Sequence, residues 1–416
     1  MIAIALILQA GDSASSPAAR PTTSLSKAQI ARIARRVERI RNLHFVRPVE
    51  PRFLDRSRAA ALLNAATRRS PARMRSDEEA LFLFGLMKPG ESLAKALTAV
   101  GKEQILGFYD DRSKRLVVVR DQTAGRPLLE ITLAHELVHA LEDQRFGLRK
   151  PGGETDDASL AESALAEGTA TEVMLEYARR YFGAGDALSL LASTSRTSTK
   201  LPAYVEQSLL FPYEAGLAFV EALRSGRGGW RGVDAVLRGR RPSSVEQILH
   251  PDKYVIDERP ARVTVPDLGR ALGSGWQPVG ISSVGEFDLR AIFDIVGGSP
   301  DEAAAAGWGG GKFVLWRRGG FTGGSCAAPC IARDVGAMRL EWDTKTDQAV
   351  GSAALSRAIV KGLHGRRLGV APGVRLWSSR GGVIGLAGGG RETDLVLAPS
   401  ASRAAAVLAK LTAEGA

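Results

Sequence analysis

Apolar residues recur at helical spacing through much of the first 260 residues. In the segment KAQIARIARRVERIRNL they stand three or four positions apart, and Ser26 occupies the N-cap position. Similar patterns predict helices in DEEALFLFGLM and at about 127–146, 157–182, 212–223 and 243–249. The segment GFYDDRSKRLVVV instead alternates around a polar turn, which predicts a β-hairpin.

The pattern changes near Pro260. Glycine-rich breaks then separate short β-like runs, namely KFVLWRR, AMRLEWD, GVRLWSS, GVIGLAG and TDLVLAP. Helical stretches at 302–306, 353–363 and 401–411 alternate with these runs. The chain is therefore predicted to be α+β, with a basic helical region at 25–100, a mainly helical domain with a small sheet at 101–260, and an α+β domain at 261–416.

The first 24 residues are read as a possible signal peptide and linker. Residues 2–8 are apolar but too few to span a bilayer as a helix, and Ala10 could stand near a cleavage point. The positively charged start of a signal is missing. Export to the periplasm, cell envelope or exterior is predicted, and a cytoplasmic location if the segment is not a signal. No other segment is predicted to cross a membrane.

Charge and cysteine content narrow the function classes. The net charge of +11 is concentrated between Arg20 and Arg75, where fifteen Lys or Arg face three Asp or Glu. No RNA-binding motif accompanies this segment, so a solvated helical face is favoured and no nucleic-acid partner is expected. Cys326 and Cys330, the two cysteines of the chain, predict a local disulfide in an exported protein, with free thiols as the alternative.

The chemistry is concentrated in ITLAHELVHALEDQ. His135 and His139 are four residues apart, so a helix places both imidazoles on one face, where they can bind one metal ion. Glu136 is directed beside that metal, where it can take a proton from water. The alternative is a buried helix whose histidines bond to backbone carbonyls.

A zinc site needs a third protein ligand and an open position for water. The segment DDASLAESALAEGTATEVMLEYARRYF offers Glu167 and, five residues earlier, Glu162. Glu167 is preferred because Gly168 and the alanines around it would let this helix approach the metal helix closely. Glu162 stays the alternative, as does a reading in which both glutamates are solvated.

HELVH followed by Glu167-Gly168-Thr169-Ala170 resembles the gluzincin-type zinc metallopeptidases, which have the thermolysin-like set of two histidines and a glutamate. The longer context, including HALEDQRF, FPYEAG and SSVEQILHPDKY, looks like a bacterial group of such proteins. The resemblance implies a zincin-like catalytic domain at 101–260, one Zn²⁺ per chain held by His135, His139 and Glu167, and Glu136 as the catalytic base. It implies no activity for the C-terminal domain.

One position departs from the thermolysin-like pattern. Many such enzymes have an Asp four residues after the glutamate ligand, where it orients a histidine, and this chain has Thr171. Asp143 or Asp157 could serve as the orienting acceptor instead, and the sequence does not choose between them.

The implied reaction is hydrolysis of peptide bonds in a peptide or protein substrate, by zinc-activated water with Glu136 as general base. Such sites usually add a donor for the oxyanion. His250 and Tyr213 are the candidates given weight, and Tyr204 and Tyr254 are also available. Because His250 follows an apolar run and precedes a proline, a loop histidine with a structural hydrogen bond is its favoured reading. A peptide is predicted to bind along the strand at 116–119 as an added strand.

Three alternatives stay open. The chain could be a non-catalytic protein that keeps a zincin fold and binds peptides or envelope partners, although the intact Glu136 argues against this. It could hydrolyse a non-peptide amide with the same chemistry. The basic N-terminal helices could form an inhibitory pro-segment. Substrate preference and oligomeric state do not follow from the sequence.

Overall fold

A computed structural model describes residues 25–66, 70–103, 106–120, 126–147, 155–183, 200–226, 228–321, 330–371 and 373–414. The first part of the chain contains the following elements: α1 Lys27–Arg41, β1 Pro51–Leu54, α2 Arg56–Ala66, α3 Pro71–Leu83, α4 Leu93–Glu103, β2 Gly107–Asp110, β3 Arg115–Val119, α5 Arg126–Phe146, α6 Asp156–Tyr181, α7 Ala203–Gly226, α8 Trp230–Arg238, α9 Val245–Leu249 and α10 Pro251–Val255.

The second part is built mainly of strands. Its elements are α11 Gly269–Leu272, β4 Trp276–Ser283, α12 Glu286–Ala291, a π-helical turn Ile292–Val296, α13 Glu302–Ala305, β5 Trp308–Arg318, β6 Asp334–Trp342, α14 Lys345–Gly362, β7 Arg366–Ala371, β8 Val374–Ser379, β9 Gly382–Gly389, β10 Glu392–Ala398 and α15 Ala401–Glu414.

The two sheets confirm the α+β class. The larger sheet is antiparallel and has seven strands in the order β4-β5-β6-β10-β9-β8-β7. The smaller sheet has the order β1-β3-β2, with β1 parallel and β2 antiparallel to β3. The hairpin predicted from GFYDDRSKRLVVV is thus confirmed as β2 and β3.

Most predicted helices occur near their predicted bounds. At the start of α1, the Ser26 side chain accepts from the Gln29 backbone N–H while the Gln29 side chain accepts from the Ser26 N–H, which is a complete capping box. The helix predicted from Pro212 begins instead at Ala203, and Pro212 lies inside it. The predicted helix was too short at its N-terminal end, and the structure accommodates within it a proline, which commonly interrupts helices.

Three apolar clusters position the two halves of the molecule. Helix α1 and the small sheet pack with α5 and α6 through buried aliphatic residues such as Ile33, Val37 and Leu137. Helix α3 packs instead with residues of the large sheet and α14. Beneath α15 lies a third cluster, on the opposite face of that sheet.

Hydrogen bonds also cross the predicted boundary near residue 260. The Asp157 backbone N–H donates to Ser283 Oγ over 3.0 Å, and the Arg73 guanidinium donates to the Ile281 carbonyl over 3.0 Å. The helices of the first part are therefore braced directly by strand β4. Among the residues given above, no helix combines the length and the apolar character needed to cross a membrane.

Candidate metal centre

Helix α5 is buried along its central four turns and carries both histidines into the interior. Their exposures are 1% for His135 and 2% for His139. The Nε2 atoms of the two rings are 3.2 Å apart, as their spacing on one helical face requires. Two ring nitrogens at this separation can both coordinate one cation.

Helix α6 supplies the third donor. Glu167 Oε2 is 3.1 Å from His135 Nε2 and 3.5 Å from His139 Nε2, and Glu167 is buried. Ligands held at about 2.0–2.1 Å in tetrahedral geometry are separated from one another by about 3.3 Å. The three observed separations bracket that distance, so the donor set fits a zinc ion.

Glu162, the alternative ligand, is also buried on α6, but the group of metal-competent side chains that the structure brings together is His135, His139 and Glu167. Five residues along a helix rotate a side chain by about 140°. Glu162 therefore points away from the face on which Glu167 meets the histidines.

Glu136 is fully buried next to this donor set. Its Oε2 accepts from the Tyr109 backbone N–H of strand β2 over 2.8 Å. Its Oε1 is buried and has no hydrogen-bond partner in the described structure. Burial raises the pKa of this carboxyl to about 8, against the opposing charge of His139. In its ionised form this carboxylate keeps one unpaired oxygen beside the metal-ligand set, which is then available to accept a proton.

The charges of Glu167 and His139 stabilise each other. Although burial alone would raise the pKa of Glu167, the histidines lower it to about 2. Burial opposes the charged form of His139, yet Glu167 and its neighbours raise the His139 pKa to about 9. Burial lowers the pKa of His135. Zinc binds the deprotonated ligands, so its entry would release the proton that Glu167 helps His139 to hold.

Helix α6 makes a close approach to another helix at Gly168, as the missing side chain suggested. The partner is α7 and not the metal helix α5. A Cβ at Gly168 would lie 2.1 Å from the backbone of Gly216 on α7. A Cβ at Gly216 would lie 2.0 Å from the Ala164 carbonyl oxygen. The expected close approach to the metal helix was therefore wrong in its partner, since α6 crosses α7 at these glycines.

This crossing brings Tyr213 to the site. Tyr213 lies one turn before Gly216, and its ring stacks on His135 with the centroids 6.1 Å apart and the planes 25° from parallel. Tyr213 is half-buried, whereas the three metal-competent residues are buried. Of the oxyanion candidates, Tyr213 is the one in contact with a metal-competent side chain.

The remaining candidates have other partners. His250 Nε2 lies 3.0 Å from the buried Glu286 carboxylate, whose hydrogen bond raises the His250 pKa. The Tyr204 hydroxyl donates to Asp288, and the Tyr254 hydroxyl donates to the Arg240 carbonyl. His250 thus belongs to an ion pair between α10 and α12, which agrees with the favoured reading of a loop histidine with a structural hydrogen bond.

The proposed orienting carboxylates are also bound elsewhere. Asp143 accepts from the Tyr109 hydroxyl and pairs with Lys114 Nζ, each over 2.7 Å. Asp157 accepts from the Val245 backbone N–H. His135 Nδ1 and Thr171 Oγ1 are both buried without a hydrogen-bond partner in the described structure. The chain thus has Thr171 where the thermolysin-like pattern has an orienting Asp, and the ring nitrogen Nδ1 of His135 has no hydrogen-bond partner within the described structure.

The strand at 116–119 cannot receive a peptide as an added strand. Strand β3 is central in the small sheet, pairing with β1 on one side and β2 on the other. Peptide addition needs an unpaired edge. The expectation of binding along Leu116–Val119 was wrong because β1, from far upstream, covers the second edge. The edge strands of this sheet are β1 and β2, and it is Tyr109 of β2 that contacts Glu136.

A second group of acids is satisfied by a lysine. Glu246, Glu258 and Asp343 could hold a cation by their spacing. The Lys253 ammonium lies within 2.6 to 2.8 Å of a carboxylate oxygen of each. This ammonium already supplies the positive charge, so the group is an ion-pair network.

Two predictions fall partly or wholly outside the described residues. Cys330 is buried and disulfide-bonded, and Cys326 lies outside the described residues. The possible signal peptide and linker at 1–24 also lie outside them.

Comparison with known proteins bears on the second part of the chain. A family model described as a domain of unknown function, DUF8575, matches residues 277–408. No curated protein and no solved structure matches the chain. The matched segment spans the large sheet and excludes His135, Glu136, His139 and Glu167, so it assigns no chemistry to the metal centre.

Proposed function

We propose that this protein is a zinc-dependent metallopeptidase that hydrolyses peptide bonds, with His135, His139 and Glu167 as zinc ligands and Glu136 as general base. The observation that carries the proposal is the convergence of three buried donor atoms, 3.1–3.5 Å apart, beside the unpaired Oε1 of Glu136. A zincin-like fold, one Zn²⁺ per chain, a peptide or protein substrate and an exported location belong to the same proposal.

Bound zinc would lower the pKa of water to about 7 and polarise the scissile carbonyl. Glu136 accepts the proton of the attacking water through Oε1 and delivers it to the leaving amine. The Tyr109 backbone N–H holds the other oxygen of Glu136 and so fixes the direction of Oε1. Tyr213, whose ring stacks on His135, would donate a hydrogen bond from its hydroxyl to the developing oxyanion.

The unpaired carboxylate oxygen favours hydrolysis over metal-dependent binding alone. Burying a carboxylate oxygen without a partner costs on the order of 1–3 kcal/mol. A protein that used the metal only as a structural tie would need an acceptor for the Tyr109 backbone N–H, which a neutral glutamine supplies, and would have no use for a second, unpaired carboxylate oxygen. The cost is understandable if the group must accept a proton during turnover.

The test compares Glu136→Gln with Glu162→Gln, two isosteric changes in buried glutamates of neighbouring helices. Zinc content and proteolysis of a denatured protein are measured for the parent and both variants. We expect about one zinc per chain in all three, and a loss of turnover of about 10³-fold or more in Glu136→Gln alone. Undiminished turnover in Glu136→Gln would refute the mechanism, and zinc binding without turnover in the parent chain would favour a binding protein.

A further inference from the structure

A cavity of about 350 Å³ opens in the second part of the molecule, away from the metal centre. It lies between helix α14 and the start of strand β8. Its polar lining residues are Gln348, Ser352 and Arg375, and the others are glycine, alanine or valine. None of the lining residues is acidic. The cavity is therefore a small polar site with one fixed positive charge.

The floor of the cavity is a rigid hydrogen-bond network. Gln348 Nε2 donates to Ser352 Oγ over 3.0 Å and to Thr393 Oγ1 over 3.2 Å. Thr393 Oγ1 also accepts from the Trp342 indole N–H over 3.0 Å. Side chains that hold one another in this way keep the shape of a site without a ligand present.

Glycine keeps the space above this floor open. A Cβ at Gly388 of strand β9 would lie 2.4 Å from Gln348 Nε2. A Cβ at the neighbouring Gly389 would have no atom within 4 Å. An alanine is therefore tolerated at one position and would disturb Gln348 at the other.

Arg375 differs from the other half-buried or buried arginines of the same sheet. Arg317 pairs with Asp334 at 2.5 Å, and Arg339 pairs with Asp394 at 2.8 Å. Within the described residues Arg375 has no carboxylate partner. It donates to Ser356 Oγ over 2.9 Å and lies 5.9 Å from the Trp377 ring centroid. Burial and the positive charge of Arg367 lower the pKa of Arg375.

We propose that this cavity binds an oxyanion group, a carboxylate or a phosphate, through the Arg375 guanidinium. The guanidinium fork matches the two oxygens of either group, and such charge-assisted pairs are the stronger hydrogen bonds of proteins. An anion would supply the negative charge that Asp334 and Asp394 supply to their arginines. The Gln348 and Ser352 side chains would contact the polar body that carries the anionic group.

The test is calorimetric titration of the full chain with inorganic phosphate and, separately, with sodium acetate, at constant ionic strength in chloride. We expect saturable one-site binding of at least one anion. Arg375→Gln should weaken it at least about tenfold, because it removes a charge-assisted contact. Arg380→Gln is the matched control, since Arg380 is exposed in the turn after β8 and its loss should leave binding unchanged.

A second pair of variants covers the case in which Arg375→Gln does not fold. Gly388→Ala should weaken anion binding, while Gly389→Ala should not. Saturable phosphate binding alone or acetate binding alone supports the site and identifies which oxyanion it prefers. Absence of saturable binding for both anions, or equal weakening in Arg380→Gln, would overturn the proposal.

Discussion

At the residue scale, the contact between Tyr213 and His135 gives a test of the proposed oxyanion donor. Tyr213→Phe keeps the ring that stacks on His135 and removes the hydroxyl. Loss of one oxyanion donor lowers kcat by about 10²- to 10³-fold, so we expect a fall in that range with zinc content unchanged. Steady-state proteolysis with parallel metal analysis measures both.

Tyr204 on the same helix provides the control. Its hydroxyl donates to Asp288 over 2.8 Å, so Tyr204→Phe should leave kcat near the parent value. If the two variants had equal activity, Tyr213 would have no role in the reaction beyond packing.

The site residues differ in how well the sequence predicts them. The spacing of four residues predicts His135 and His139 as a pair of metal ligands, since a single helix places both side chains on one face. Glu167 lies on a second helix, so the spacing of the histidines does not predict it. The glycine and alanines beside it indicated close helix packing, which made it the preferred third ligand. The partner of His250 could not be assigned from the sequence, because Glu286 lies 36 residues further along the chain and no local pattern links the two.

At the scale of elements, the crossing of α6 and α7 predicts the effect of a single methyl group. Gly168→Ala places a Cβ 2.1 Å from the Gly216 backbone, so the helices must separate. Overpacking of this kind costs about 1–3 kcal/mol or more, and we expect a loss of about 3 kcal/mol in the free energy of unfolding. Displacement of Glu167 should also weaken zinc binding.

Gly226 at the end of α7 is the matched position. A Cβ there has no atom within 4 Å, so Gly226→Ala should change stability by less than about 1 kcal/mol. Urea unfolding of both variants gives the comparison. An equally stable Gly168→Ala would show that the two helices do not cross here.

The docking of α3 on the large sheet predicts a pH dependence. Glu79 is buried against Asp334 and Arg317, and burial together with the Asp334 charge raises its pKa to about 7, from the ordinary 4.5. The folded state then binds the proton more tightly than the unfolded state. This contribution to stability is present at low pH and is lost as pH rises from about 4.5 to 7.

Glu79→Gln removes that titration while keeping an acceptor for the Cys330 backbone N–H. We therefore expect the variant to gain stability relative to the parent between pH 5 and pH 7.5. Chemical unfolding at the two pH values measures the difference. A constant difference would mean that Glu79 does not titrate in this range.

Pairing of elements is where prediction from sequence was weakest. The hairpin of β2 and β3 was predictable because its strands are adjacent and separated by a polar turn. The parallel pairing of β1 with β3 was not, since Pro51–Leu54 is four residues long and lies more than 60 residues upstream of its partner. That pairing makes β3 central and leaves β1 and β2 as the edges of the small sheet.

At the scale of the whole molecule, the basic N-terminal helix is tied to helices α5 and α8 by Arg41. The Arg41 side chain is fully buried, pairs with Glu142 at 3.1 Å and Asp234 at 2.8 Å, and stacks on Trp230. Arg41→Met removes the cation beside Glu142 and leaves Asp234 only the more distant Arg238, at 3.7 Å, so we expect a loss of about 3–5 kcal/mol in the free energy of unfolding.

Arg35→Met on the exposed face of the same helix should change stability by less than about 0.5 kcal/mol. A small effect of Arg41→Met would imply that α1 separates easily from the rest. That outcome would favour the hypothesis of a removable pro-segment. If the loss is large, a shortened chain beginning near Glu91 should fail to fold as a stable unit.

The most direct test of the central claim is anomalous diffraction at the zinc absorption edge from crystals of the full chain. We expect one strong peak per chain, about 2.0–2.2 Å from Nε2 of His135, Nε2 of His139 and a carboxylate oxygen of Glu167. A peak bound to other residues, or zinc-supplemented crystals with no peak at these three, would contradict it.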